Sequence, residues 1–235
     1  MKPLTGRRDA PALGQVVTAA ALVNVLTMAI LLLSATFSVA SEKPIRILAF
    51  GDSLTSGYGV RPKDAFPNQL QKALKARGHD ITVTNGGVAG DTTAAGLARF
   101  DWTVGNDVDA VILELGANDA LRGMEPKVTR DNLQKILAKL HARKLPVLLV
   151  GMRSPANWGD TYADDFDAIF PALAKEHGLI FYPFFLEGVV LDSKLNQQDG
   201  MHPNAKGVAE IVRQIMPSVE ELIGKVQAQR AAAKS

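Results

Sequence analysis

From Lys43 onward, short apolar runs alternate with longer segments in which apolar residues recur every three or four positions. The runs Ile45 to Phe50, Ile81 to Asn85, Ala110 to Leu115, Val147 to Gly151 and Leu179 to Tyr182 are nearly continuous in apolar character. That is the pattern of strands covered on both faces. Between them, Phe66 to Arg77, Thr92 to Phe100, Val128 to Lys144 and Tyr162 to His177 read as amphipathic helices, and a last helix runs from about Ala205 to Ile223. Leu133, Ile136, Leu137 and Leu140, like Val208, Ile211, Val212 and Ile215, fall at helical spacing and belong to the core rather than to a cofactor site. Strands alternating with helices predict an α/β fold of three α/β/α layers around a five-stranded parallel sheet. No linker or repeat interrupts it, and only the Ala- and Lys-rich tail after Lys225 reads as loose.

The first forty residues follow another pattern. Lys2, Arg7 and Arg8 precede an apolar run from Val16 to Phe37, which ends in Ser38-Val39-Ala40. A basic start, an apolar stretch and small residues at its end predict a signal peptide over residues 1–40, with cleavage after Ala40 and a single domain over residues 41–235. Retention of the stretch as a membrane anchor is the alternative, since its length could span a bilayer. The residues after Arg7-Arg8, namely Asp9-Ala10-Pro11, lack the apolar character of a twin-arginine signal. Export implies a periplasmic or secreted protein.

Composition changes the picture in two ways. The intact chain carries a formal charge of +2, but residues 1–40 hold three of its 26 basic residues and one of its 24 acidic ones. The remaining domain therefore has 23 of each, with no electrostatic footprint for nucleic acid. Cysteine is absent, which excludes disulfides and thiolate metal sites.

In open parallel sheets, ligands bind beyond the carboxyl ends of the strands. Four polar blocks fall there: Gly51-Asp52-Ser53-Leu54 after the first strand, Asn85 to Asp91 after the second, Gly116-Ala117-Asn118-Asp119 after the third, and Asp199-Gly200-Met201-His202-Pro203 ahead of the final helix. A serine hydroxyl needs a neighbouring base to act as a nucleophile, and an imidazole is the usual one. The imidazole in turn needs a carboxylate to fix its tautomer, which Asp199 can supply from three positions upstream. Ser53, Gly90 and Asn118 can offer hydrogen-bond donors to a developing oxyanion.

Taken together, Gly51-Asp52-Ser53-Leu54, Gly90, Gly116-x-Asn118-Asp119 and Asp199-x-x-His202 resemble the four blocks of the GDSL, or SGNH, hydrolase family. Gly116 to Gly123, Arg153 to Asn157, Pro183 to Glu187 and Gln198 to Pro203 are similar to its bacterial periplasmic thioesterase, lysophospholipase and arylesterase subfamily. The resemblance implies a flavodoxin-like sheet, a Ser53, Asp199, His202 triad, an oxyanion hole from Ser53, Gly90 and Asn118, and no metal or organic cofactor. It also implies that Ala120 to Gly123, with Leu121, borders an acyl site and moves on binding. The loop Arg153 to Trp158, with Arg153, Ser154, Pro155 and Asn157, is expected to line the acyl groove, and Ser154 stands where the closest relatives are expected to carry an apolar residue.

The expected activity is that of a serine esterase or thioesterase acting on small acyl substrates through an acyl-enzyme on Ser53. The rival readings are a carbohydrate or cell-wall deacetylase, which places the same chemistry in a polar cleft, and a non-catalytic exported binding module. Asp119 is read as a helix-entry residue outside the catalytic set. His79, His141 and His177 occupy helical or helix-terminal positions, and no further ligands at diagnostic spacing join Asp199 and His202 in a metal site. Gly57-x-Gly59 lacks both the dinucleotide fingerprint and a Walker lysine, and Thr55 breaks the Gly-x-Ser-x-Gly elbow.

Overall fold

The structure is a computed structural model and describes residues 43–235; the signal peptide expected over residues 1–40 lies outside them. Five strands, β1 (Ile45–Gly51), β2 (Ile81–Gly87), β3 (Ala110–Glu114), β4 (Val147–Val150) and β5 (Ile180–Tyr182), pair in parallel in the order β2-β1-β3-β4-β5. Every residue of β3 and β4 is buried, as the unbroken apolar runs require. At the sheet edge, β2 instead buries Ile81 and Val83 and exposes Thr82 and Thr84, so its pattern alternates.

Helices flank the sheet. Helix α1 (Ser53–Ser56) follows β1 directly, and α2 (Phe66–Ala76) leads into β2. Next come α3 (Thr93–Ala98), α4 (Phe100–Thr103), α5 (Ala117–Leu121), α6 (Pro126–Ala142), α7 (Asp160–Asp167), α8 (Ile169–His177) and α9 (Ala205–Ala232). Helix α9 packs against α2 and crosses β3, β4 and β5, whereas α6 packs against α3, α7 and α8. The core between them includes Phe50, Phe66, Phe100, Phe166, Phe170 and Phe185, all fully buried.

Three elements depart from the sequence pattern, each for a local reason. The helix expected over Thr92 to Phe100 breaks at Arg99, which leaves helical geometry at φ −95° and ψ 3°. The helix expected over Tyr162 to His177 divides at Ala168. There Pro171 has no N–H to return to the carbonyl of Asp167, so the ladder is interrupted. The tail after Lys225 is helical to Ala232 rather than loose. Its Ala, Gln and Arg residues are good helix formers, Val226 is buried, and Arg230 donates to the Asp109 carboxylate at 2.9 Å.

The order of the strands places a switch point at β1, which pairs with β2 on one side and β3 on the other. The carboxyl ends of β1 and β3 are therefore where a crevice forms.

Candidate active site

Ser53 opens the short helix α1 immediately beyond β1. Asp52 caps that helix, its Oδ1 accepting the N–H of Leu54 at 3.0 Å, and Gly57 ends it in the left-handed region at φ 83°. The turn thus presents Ser53 at the mouth of the crevice. A capping role for Asp52 is what Asp and Ser at such positions suggest from composition alone, but Asp52 is also fully buried and does more, as its other contacts indicate.

His202 arrives from the other end of the chain, on the loop ahead of α9. That loop is tied at several points. Gln197 N–H donates to the His202 carbonyl at 2.8 Å, Asn196 and Pro203 form an isolated bridge, and Asn204 caps α9 by accepting from Lys206 and Gly207. Gln197 Nε2 reaches across to the Tyr58 carbonyl at 2.8 Å, which joins the loop to the segment after α1. The Tyr58 ring lies against the His202 ring with centroids 4.7 Å apart.

This scaffold brings the three expected residues into one chain of contacts. His202 Nε2 lies 3.0 Å from Ser53 Oγ, and His202 Nδ1 lies 2.7 Å from Asp199 Oδ2. The other carboxylate oxygen, Asp199 Oδ1, accepts the backbone N–H groups of His202 and Met201, each at 3.0 Å. The His202 N–H, the His202 ring and the Met201 N–H, in that order of effect, pull the Asp199 carboxyl down to about 2. Asp199 is thus an anion at any pH near neutrality.

The donors expected around the serine differ in readiness. The N–H groups of Ser53 and Gly90 have no acceptor among the described residues, and Gly90 sits at φ 85°, a conformation that favours glycine. Asn118, on α5, already uses its side-chain amide: Nδ2 donates to Asp52 Oδ2 at 3.0 Å and to the Asp91 carbonyl at 2.9 Å. Asp119 has no contact with this centre. Its carboxylate accepts the Thr93 N–H and hydroxyl at 2.8 and 2.5 Å and the Thr129 hydroxyl at 3.2 Å, binding α5 to α3 and α6.

The residues expected to line a groove differ in exposure. Leu121 is half exposed, and Trp158 beside it is similarly open. The Trp158 indole N–H donates to the Ala120 carbonyl at 2.8 Å, Tyr162 donates to the Met124 carbonyl at 2.8 Å, and a Cβ on Gly123 would meet the Trp158 ring at 2.8 Å. The segment expected to move is therefore latched to the loop after β4. Arg153 is exposed and lies over the Phe184 ring at 4.7 Å. Ser154 turns its hydroxyl to the Pro155 carbonyl, and its N–H donates to Asp167 Oδ1, so its polar groups are engaged locally. Pro155 is partly buried and Asn157 exposed.

Several residues at the site carried no role in the sequence reading. Arg99 donates to Asp91 Oδ2 at 2.5 Å, to the Gly51 carbonyl at 2.8 Å and to the Gly86 carbonyl at 2.9 Å, so it ties together the ends of β1 and β2 and the loop before α3. Its guanidinium lies over the Phe50 ring. Glu114, the last residue of β3, is completely buried beneath the Ser53 turn. An acid inside the otherwise apolar run Val111-Ile112-Leu113-Glu114-Leu115 is the signal that marks it. Burial pushes the Asp52 carboxyl up to about 6, against the opposing hydrogen bonds from Leu54 and Asn118. Burial also holds Glu114 well above the usual carboxylate range, reinforced by the nearby Asp52 charge.

The chain is similar to known proteins over about three quarters of its length. The sequence model of the GDSL-like Lipase/Acylhydrolase family matches residues 49–209. The chain is 39% identical over 181 residues to an arylesterase of Vibrio mimicus, covering 75% of this chain and 90% of that one. It is 39% identical over 170 residues to thioesterase 1/protease 1/lysophospholipase L1 of Escherichia coli K12, covering 72% and 79%. Among solved structures, the SGNH-hydrolase family esterase AlinE4 superposes with a TM-score of 0.65 at 43% identity, over 76% of this chain and 96% of that one.

Proposed function

This chain belongs to the GDSL-like lipase/acylhydrolase family and is a hydrolase of ester bonds, and on that premise we propose that Ser53 is its nucleophile, His202 its general base and Asp199 the carboxylate that orients the base. The observation that carries the reading is the unbroken contact from Ser53 Oγ through both nitrogens of His202 to Asp199 Oδ2.

The reaction is a double displacement. Ser53 Oγ attacks the acyl carbonyl carbon while His202 Nε2 takes the hydroxyl proton. Asp199, held as an anion, stabilises the imidazolium and keeps the remaining proton on Nδ1. Collapse of the tetrahedral intermediate expels the alcohol or thiol, which takes the proton from His202 and leaves the acyl group on Ser53. Water then enters and attacks the acyl carbon as it gives a proton to His202; collapse of this second intermediate breaks the bond to Ser53 Oγ, which takes that proton back from His202, and the carboxylic acid leaves.

The oxyanion of each intermediate is received by the N–H groups of Ser53 and Gly90, which are free for it. Asn118 joins them by exchanging its bond to the Asp91 carbonyl for the oxyanion, while its bond to Asp52 keeps the amide in place. A donor of this kind contributes about 2.7–4 kcal/mol to lowering the barrier.

Acyl and aryl esters, fatty acyl thioesters and lysophospholipids are the proposed substrates. Tyr58, Leu121, Trp158 and Met201 expose apolar surface on the loops beyond the strand ends, and Ser154 keeps its hydroxyl on the backbone rather than toward the groove. These features favour acyl chains over a sugar. The domain acts after export: the basic start and apolar run ending in Ser38-Val39-Ala40 support cleavage after Ala40, and N-terminal sequencing of the protein recovered from the periplasm or medium tests it. Among the described residues no helix is long and apolar enough to cross a membrane.

The nucleophile is tested by Ser53→Ala. The variant should keep the melting temperature of the parent, lose at least about 10³-fold in kcat on p-nitrophenyl butyrate, and no longer react with a fluorophosphonate probe. Substantial turnover by the folded variant would remove Ser53 from the mechanism.

A further inference from the structure

One buried acid at the site takes no part in the chemistry above. The Glu114 carboxyl enters the space under the turn that carries Ser53, where its Oε2 accepts the Thr55 hydroxyl at 2.7 Å and the Asp52 N–H at 3.3 Å. Those two donors bracket Ser53 in the chain. Gly51 leaves the space open: a Cβ there would lie 2.4 Å from Glu114 Oε2 and 2.2 Å from Thr55 Oγ1. Glu114 Oε1, although buried, has no hydrogen-bond partner among the described residues.

Such an arrangement is expensive for a merely structural residue. A buried polar atom without a partner destabilises by about 1–3 kcal/mol, and an apolar side chain of similar size would avoid it. Glu114 nevertheless occupies the end of the strand that faces the serine. Its contacts continue outward, because Asp52, whose N–H it holds, accepts the Asn118 amide through Oδ2. One carboxyl group therefore reaches the backbone before the nucleophile, the side chain after it and, at one remove, the amide beside the crevice.

We propose that Glu114 is a positioning residue which fixes the Ser53 turn and the Asp52–Asn118 contact, setting the angle at which the hydroxyl meets His202 and the oxyanion meets its donors. The proposal rests on Ser53 being the nucleophile. In the neutral form Oε2 is the carbonyl oxygen that receives both donors and Oε1 carries the proton, so an amide can take the place of the acid. Burial and the Asp52 charge favour this form.

The test compares Glu114→Ala, Glu114→Gln and Thr55→Val with the parent and with Ser53→Ala. Folding is checked by circular dichroism, kcat and KM are measured on p-nitrophenyl butyrate, and the second-order rate of fluorophosphonate labelling is followed. A misplaced nucleophile loses rate in the chemical step, so Glu114→Ala should lower kcat and the labelling rate together by about 10- to 100-fold while KM moves less than about threefold. Glu114→Gln should restore both rates to within about threefold of the parent, because its amide oxygen supplies the same acceptor. A folded Glu114→Ala with the kcat of the parent overturns the proposal, and so does a Glu114→Gln as slow as the alanine variant.

Should Glu114→Ala fail to fold, Thr55→Val carries the test, since it removes one donor at nearly constant volume: a kcat fall of about fivefold or more at constant KM supports the proposal, and no fall overturns it. Activity remaining in folded Ser53→Ala would instead refute the nucleophile assignment, whereas an inert Ser53→Ala beside a fully active Glu114→Ala refutes only the role given to Glu114.

Discussion

Glu114→Gln is expected to stabilise the protein progressively as pH rises. In the unfolded chain this carboxyl titrates at its ordinary 4.5; in the fold, burial and the Asp52 charge keep the proton on well above that value. Within that window the folded state holds one more proton than the unfolded state, so stability falls with increasing pH. The slope for one proton is about 1.4 kcal/mol per pH unit. Asp52 adds a second loss of the same sign: raised from 3.8 to about 6, its burial removes roughly 3 kcal/mol once pH has passed 6.

Glutamine has the shape of the neutral acid and the oxygen that receives Thr55 and the Asp52 N–H, but it does not titrate. Its unpartnered amide end imposes a penalty that does not vary with pH, so the slope, not the offset, is diagnostic. Urea unfolding at pH 5, 6 and 7 should show the stability of Glu114→Gln gaining on the parent by about 1 kcal/mol per pH unit until Glu114 releases its proton, with m unchanged. A difference that is flat across that range, or that shrinks, would mean Glu114 folds as an anion and would refute the reasoning.

Other substitutions probe separate parts of the site. Asp199→Asn can still receive the Met201 and His202 N–H groups but loses the charge opposite the imidazole and turns an NH₂ toward Nδ1, so kcat should fall by about 10³- to 10⁴-fold at nearly constant KM; steady-state kinetics on a p-nitrophenyl ester read it, and a loss under tenfold would remove Asp199 from the triad. Arg99→Ala strands the buried Asp91 carboxylate and the Gly51 and Gly86 carbonyls, and should destabilise by about 3–5 kcal/mol in urea unfolding. Trp158→Phe keeps the ring but removes the bond to Ala120, with an expected loss of about 1 kcal/mol, read as a melting temperature lower by about 2–4 °C in a domain of this size.

How much of this was legible in the sequence depended on the range of the interactions involved. All five strands fell where the apolar runs placed them: β3 and β4, buried on both faces, carry the signal at every residue, whereas the edge strand β2 carries it at alternate positions. The two helices that broke were missed for a common reason: amphipathic spacing continues through Arg99 and Ala168, while what ends each helix is a specific hydrogen bond. In the first case Arg99 is held by partners from three other segments; in the second, Pro171 deprives the Asp167 carbonyl of its donor, a cue the sequence does contain. The tail beyond Lys225 was misread because its stabilising contacts, Arg230 with Asp109 above all, are distant in sequence.

The site divides along the same line. That Ser53, Asp199 and His202 should meet could be read from the sequence, because they sit in short polar blocks beyond the strands and nucleophile chemistry calls for those residue types together. The contacts of Asp52, Glu114 and Arg99 could not be, although they hold the residues on either side of the serine. Each reads as something ordinary in its own segment: a cap, a strand residue, a helix cation. Their contacts appear only when β1, β2 and β3 are brought side by side and the carbonyl of Gly51, the hydroxyl of Thr55 and the amide of Asn118 need partners. The proposed triad is thus marked by short local blocks, whereas the contacts that hold its turn in place come from residues distant in sequence. It follows that substitutions at Glu114 and Arg99, which lie outside the four blocks of the family, should lower kcat while leaving those blocks intact.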